Sequence, residues 1–176
     1  MIIGIDPGNS GAAALMHNHQ LIDWFLMPTF QDGKRKRTDA MALIEQLAHW
    51  KETYEAEIAF VEHVQSWGSD GHVGAFTFGF SAGVIHAACE AVGLQIEYID
   101  PYRWKPFFNL HGKRADKDEA RQFCLSLWSN EDVLHKKGKG QAVSDAILIA
   151  EYGVLNEDAK SKQLAGHINR RGALNP

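Results

Sequence analysis

An apolar extended segment that ends on a carboxylate and runs straight into a proline–glycine turn leaves few folds open to this chain. Along Ile2 to Asp6 the side chains alternate, Ile3 and Ile5 to one face and Ile2, Gly4 and Asp6 to the other; Pro7 then stops the ladder. Gly8 and Gly11 permit a tight turn with close backbone approach, and Ala12 to Leu15 resumes an extended run. An acid at the tip of a core strand is costly unless something positive meets it. Asp6 therefore either caps its own turn through its side chain, or offers an oxygen ligand at an open sheet end where a metal or phosphate docks.

The rest of the chain continues a mixed α/β order. Gly11 to Met16 and Leu21 to Met27 follow as strands around an Asn18-His19 turn, giving a three-stranded antiparallel start. A polar loop from Gln31 to Thr38 leads to a helix over Ala40 to Tyr54, with Ala40, Leu43, Ile44 and Leu47 on one face. Glu57 to His63 is nearly all apolar and follows a helical crossover, so it reads as a buried parallel strand, again ending on an acid, Glu62. His63 then points to the opposite face as a packing residue.

After a loop over residues 64–71, a long helix is predicted from His72 to Val92, ended by Gly93. Its Ala75, Gly79, Gly83, Ala87 and Ala91 recur every fourth residue, which allows close approach of another helix or sheet. Gln95 to Ile99 forms a further strand and Pro101 to Leu110 a short helix or turn. Residues 116–119 carry acids at capping-box spacing ahead of a helix reaching Trp128. The final helix, Gln141 to Leu155, carries Asp145 near its start, and residues 156–176 form a polar, loosely held tail beyond a single domain of residues 1–155.

Composition narrows the function. At 176 residues and 45% hydrophobic content, one soluble domain with a sizeable core is expected. No apolar run approaches the roughly 20 residues that span a bilayer, and no basic, then apolar, leader opens the chain. The expectation is an unexported, cytoplasmic protein with no membrane partner. Cys89 and Cys124 are isolated in apolar helical patterns, which argues for reduced core residues and against zinc or a disulfide. The net charge of −4 is uneven: Lys34, Arg35, Lys36 and Arg37 form one basic cluster, Lys113, Arg114 and Lys117 a second, with others at residues 136–139 and 170–171. Each suits either a solvated loop or part of a phosphate-binding face.

With acids at the end of the first strand, at the end of the fourth and near the start of the last helix, the pattern resembles the ribonuclease-H-like fold and, within it, the RuvC family of Holliday-junction resolvases. Gly4 to Gly8 resembles that family's first motif, Val61 to Val64 its second, Gly79 to Val84 its central glycine-containing helix, and Ser144-Asp145-Ala146 its last. The resemblance spans about residues 1–155. It implies a mixed five-stranded sheet, three strands antiparallel and two parallel, flanked by helices. It further implies a homodimeric, metal-dependent endonuclease that resolves four-way junctions, and other branched DNA, by paired symmetric nicks. A catalytically silent branched-DNA-binding module on the same fold is the alternative. A phosphate loop of sugar-kinase or actin type is disfavoured, because such folds need two copies of the core and a second glycine-rich motif.

Phosphodiester hydrolysis explains why carboxylates must converge. Two hard cations about 4 Å apart can neutralise the attacking and leaving oxygens together. Magnesium takes oxygen ligands and keeps several waters, so a few acids suffice. By resemblance Asp6 bridges two magnesium ions, for which manganese can substitute, Glu62 holds one and Asp145 the other. A strand-end ion pair for Glu62, and a helix-terminus acid for Asp145, are the structural alternatives. Lys105 and Lys117 fall where the family has basic residues near the scissile phosphate, or they are surface lysines. Trp67, in the loop after Glu62, is placed either to stack on a base at an opened junction centre or to pack on the rim. Where relatives carry an acid or histidine one turn before the last aspartate, this chain has Ala142. A plain three-carboxylate site with extra waters is then the first expectation, with Gln141 the nearest possible extra contact and His135 and Asp118 more remote.

Overall fold

The alternating and continuous apolar runs assemble into one five-stranded sheet, seen in a computed structural model that describes residues 1–63, 71–110 and 118–172. Strands β1 (Ile2–Asp6), β2 (Ala12–His17) and β3 (Gln20–Leu26) form an antiparallel meander; β6 (Ile58–Glu62) and β7 (Gln95–Ile99) add in parallel, giving the order β3-β2-β1-β6-β7. Asn18 and His19 both have positive φ, as a two-residue hairpin turn requires. This is the mixed sheet expected from the sequence.

Alternation divides the core into two layers. Ile3, Ile5, Ala59 and Val61 face α1 (Ala40–Tyr54) and α2 (His72–Val92), meeting Leu43, Leu47, Trp50, Ile85 and Cys89. Phe60, Ala12 and Ala14 on the other face meet the long helix α5 (Lys137–Gly172), with α3 (Pro101–Phe107), α4 (Glu119–Leu127) and a 3-10 turn, Asp132–His135, packed around it. Local signals set the ends: the Asp39 side chain accepts from the Ala42 amide at 3.1 Å, and Gly93 ends α2 at φ 75°. Cys89 and Cys124 are free and buried, and burial pushes each thiol up to about 12.

Three expectations need correction. The polar loop at Gln31–Thr38 is a second sheet, the hairpin β4 (Thr29–Asp32) and β5 (Arg35–Thr38), whose Arg37 pairs with Asp32 and lies 4.8 Å from the Phe80 ring centroid on α2. Side-chain pairing and docking on a neighbour hold this hairpin where its own polar sequence shows no alternation. The last helix continues to Gly172, well beyond Leu155. Its polar extension gains an anchor at Lys160, which reaches Glu97 at 2.9 Å and Glu157 at 2.7 Å. Asp118 occupies the N-cap position of α4 without a side-chain capping bond; it pairs instead with the buried Arg121, which holds its carboxyl down at about 2.

On α2 the buried face is Ser81, Ile85, Ala88 and Cys89, and the small-residue stripe looks outward, so this chain's own sheet is not the partner that the stripe approaches. A Cβ added at Gly79 or Gly83 would meet nothing within 4 Å. Among the described residues α2 is also long and apolar enough, by length and composition, to cross a bilayer, with only 22% of its most apolar window buried. Exposed Val73, Phe76 and Phe78 account for much of that apolar surface.

Candidate active site

Register brings the first two acids together. Ile5 of β1 pairs with Val61 of β6 in a parallel ladder, so Asp6 and Glu62 are the next residues on neighbouring strands, at the same end and on the same face of the sheet. The third acid arrives from α5, and a glycine sets how close it comes. Gly4 shares the Asp6 face, and a Cβ there would lie 2.3 Å from the Ala146 carbonyl oxygen and 2.3 Å from the Ala150 amide. Only a residue without a side chain lets α5 lie this near β1. Gly4→Ala should therefore cost about 3 kcal/mol of stability in a denaturant titration, because backbone rather than a flexible side chain must move. A cost below about 1 kcal/mol would show that α5 is not seated through this contact.

Electrostatics registers the convergence. Burial first, then the charges of Asp145 and Glu62, push the Asp6 carboxyl well above the ordinary carboxylate range, with Lys105 pulling the other way. Asp145 is raised to about 6, chiefly by burial with Glu62 adding, against Lys105 and a hydrogen bond from Gln141. Lys105 comes from α3, its Nζ 5.0 Å from the Trp104 ring centroid. The buried Trp104 also donates its indole N–H to Glu62 Oε2 at 2.8 Å and so aims that carboxylate. Gln141 Nε2 donates to Asp145 Oδ1 at 3.1 Å, and Gln141 Oε1 is buried with no hydrogen-bond partner among the described residues.

Asp6 and Glu62 line one side of a cleft of about 1030 Å³ between the sheet end and the start of α2, with the turn Pro7–Gly11, Phe78, Asp100 and Tyr102 around it. Gly8 has φ 116°, and a Cβ at Gly11 would lie 2.0 Å from the Asp6 carbonyl oxygen, so the turn tolerates no ordinary side chain at either place. His63, expected to pack inward, instead sits just past the strand end with its Nδ1 3.0 Å from Asp100 Oδ1, lining this cleft. Alternation ends with the strand, and the sequence carried no signal for that pairing.

The donor set is oxygen alone: three carboxylates and an unpartnered amide oxygen, the chemistry a hard divalent cation takes. Among the described residues, however, no three His, Cys, Asp or Glu side chains are gathered closely enough to hold one ion as they stand. Lys34, Arg35 and Lys36 are exposed at the hairpin tip, while Arg37 is half-buried against α2. His135 bonds the Ser129 carbonyl at 3.0 Å and Asp118 is tied to Arg121, so both are committed away from the acids. Trp67, Lys113, Arg114 and Lys117 lie outside the described residues.

The sequence matches no protein-family model and no curated relative. Solved structures do resemble it. RuvC of Thermus thermophilus in complex with a Holliday junction substrate aligns over 85% of this chain and 88% of that one, with a TM-score of 0.58 and 16% identity. A second T. thermophilus RuvC structure aligns over 88% and 96% (TM-score 0.54, 15% identity), and a Fowlpox virus resolvase in complex with Holliday junction DNA over 86% and 97% (TM-score 0.50, 15% identity). At such identities the likeness is one of architecture: the chain has the ribonuclease-H-like fold of the RuvC resolvases.

Proposed function

We propose that this protein is a metal-dependent endonuclease that resolves four-way DNA junctions. The observation that carries the reading is the convergence of Asp6, Glu62 and Asp145, with Lys105 beside them, at one sheet end of a fold shared with junction resolvases. Asp6, Glu62 and Asp145 are the residues that would hold the hard cations, Asp6 as the central ligand between the other two. Bound there, the ions would neutralise charge on the attacking and leaving oxygens of the phosphodiester.

The protein's own groups do the remaining work. Trp104 and Gln141 keep the two outer carboxylates aimed, and Lys105 orients the scissile phosphate and offsets acid–phosphate repulsion, a task assigned from sequence to Lys117 as well. Lys34, Arg35 and Lys36 hold flanking phosphates, with Lys113 and Arg114 assigned the same task from sequence and Trp67 assigned to base stacking. Affinity should accordingly fall steeply with salt. The direct experiment is cleavage of a synthetic mobile four-way junction mapped at nucleotide resolution: paired symmetric nicks support the reading.

A catalytically silent junction-binding module remains a distinct second reading, favoured by the absence of a gathered three-ligand group among the described residues. Titrating magnesium or manganese into the same assay separates them. Tight binding with no nicking at any metal concentration would establish the module and overturn the nuclease.

Two symmetric nicks call for two active sites, and the outward Gly79/Gly83 face of α2 is the surface we assign to a second copy. Small residues there let two helices approach closely. Gly79→Leu should give monomers by sedimentation that bind junctions about tenfold or more weakly, through lost bivalency. A variant that stays dimeric would place the interface elsewhere.

A further inference from the structure

The turn that follows Asp6, the basic hairpin and α2 meet at one buried point. Ser81 of α2 is fully buried, Thr38 at the end of β5 is 1% exposed, and their hydroxyl oxygens are 2.9 Å apart. Each hydroxyl has one proton to give, so the bonding has a single consistent direction. Asn9 donates its amide N–H to the Lys36 carbonyl at 2.6 Å, leaving its Oδ1 to accept the Thr38 proton at 3.1 Å. Ser81 must then donate to Thr38, and its own oxygen accepts the Gly8 N–H at 3.2 Å. The relay runs from Gly8, two residues past Asp6, through α2 and β5 to the backbone of the hairpin's exposed lysine.

Buried hydroxyls cost free energy unless fully bonded, and these are bonded in one arrangement only. A slip of hairpin against turn breaks several bonds at once. A cation–π contact, as at Arg37 on Phe80, would tolerate such a slip; a directional hydrogen-bond relay does not. We propose that Asn9, Thr38 and Ser81 are positioning residues that lock the Asp6 turn in register with the basic hairpin, so that phosphates held on the hairpin set the geometry of the Asp6 carboxylate. This rests on the nuclease reading above.

Thr38→Val keeps the side chain's shape and removes the proton relay, whereas Thr38→Ser keeps the hydroxyl. The valine variant should lose about tenfold or more in single-turnover nicking at saturating protein, with junction affinity within about twofold of wild type, since small misplacements at a reacting centre are expensive. The serine variant should retain most of the rate. A second readout needs no metal or cleavage: in chelator, adding four-way junction should slow hydrogen exchange at the Gly8 amide in wild type and leave it unchanged in Thr38→Val. A wild-type protein that never nicks overturns the nuclease reading, while the Gly8 response still decides the coupling. The coupling is overturned if Gly8 ignores the junction in wild type, if Thr38→Val nicks at the wild-type rate, or if it loses rate, affinity and thermal stability in equal proportion.

Discussion

Asp6→Asn is expected to abolish junction cleavage, by about a thousandfold or more, and to leave junction binding intact or slightly tighter. Among the described residues no side chain donates a hydrogen bond to Asp6, and its carboxyl is pushed up by burial and by its two acidic neighbours. The amide keeps the volume and removes the charge, so the change should relieve repulsion rather than break a contact. The metal-free Asp6→Asn protein should therefore be as stable as wild type or more so, which a purely structural aspartate would not allow. Glu62→Gln and Asp145→Asn should show the same separation of cleavage from binding, although Glu62→Gln also alters the acceptor of the Trp104 indole. Loss of junction binding in all three variants would assign these acids to the fold instead.

The parts of this site that could be read from sequence are those that local periodicity controls. Alternation put Gly4 and Asp6 on one face, and the continuous apolar run before Glu62 made it an acid at the end of a parallel strand; that this strand lies beside β1, with Ile5 paired to Val61, is seen only in the structure. What could not be read depends on contacts between distant elements. The β4–β5 hairpin is polar apart from Phe30 and is held by Arg37, which pairs with Asp32 and docks on α2. The stripe of small residues on α2 has the right spacing for a packed face, yet spacing cannot say whether the chain itself supplies the partner; here it leaves Gly79 and Gly83 open. His63 pairs with Asp100 across 37 residues, Trp104 steers Glu62 across 42, and the Ser81–Thr38 bond joins α2 to β5, none with a motif to announce it.

Removing metal should make the protein less stable as the pH rises, the reverse of an ordinary carboxylate effect. Asp145 in the folded chain is raised to about 6 from an ordinary value of 3.8, and Asp6 is displaced the same way. The folded state thus holds these protons more tightly than the unfolded state does. Their contribution is fully present below the unfolded value and is lost as the pH climbs through 6, a change of about 3 kcal/mol at most for Asp145 alone. Asp118 runs oppositely: its carboxyl is held down at about 2, so its pairing with Arg121 weakens only as the pH falls from 3.8 toward that value, outside the same window. Metal ligands must be deprotonated, so a hard cation competes with those protons and releases them on binding. In chelator, the melting temperature should fall between about pH 5 and about pH 8, and excess magnesium or manganese should restore it at the higher pH with little effect at the lower. Asp145→Asn should flatten the pH dependence and blunt the metal effect together, because one carboxylate is responsible for part of both. A metal-free melting temperature that rises over this range, or a cation effect equal at both ends of it, would mean that the three acids do not share a cation site.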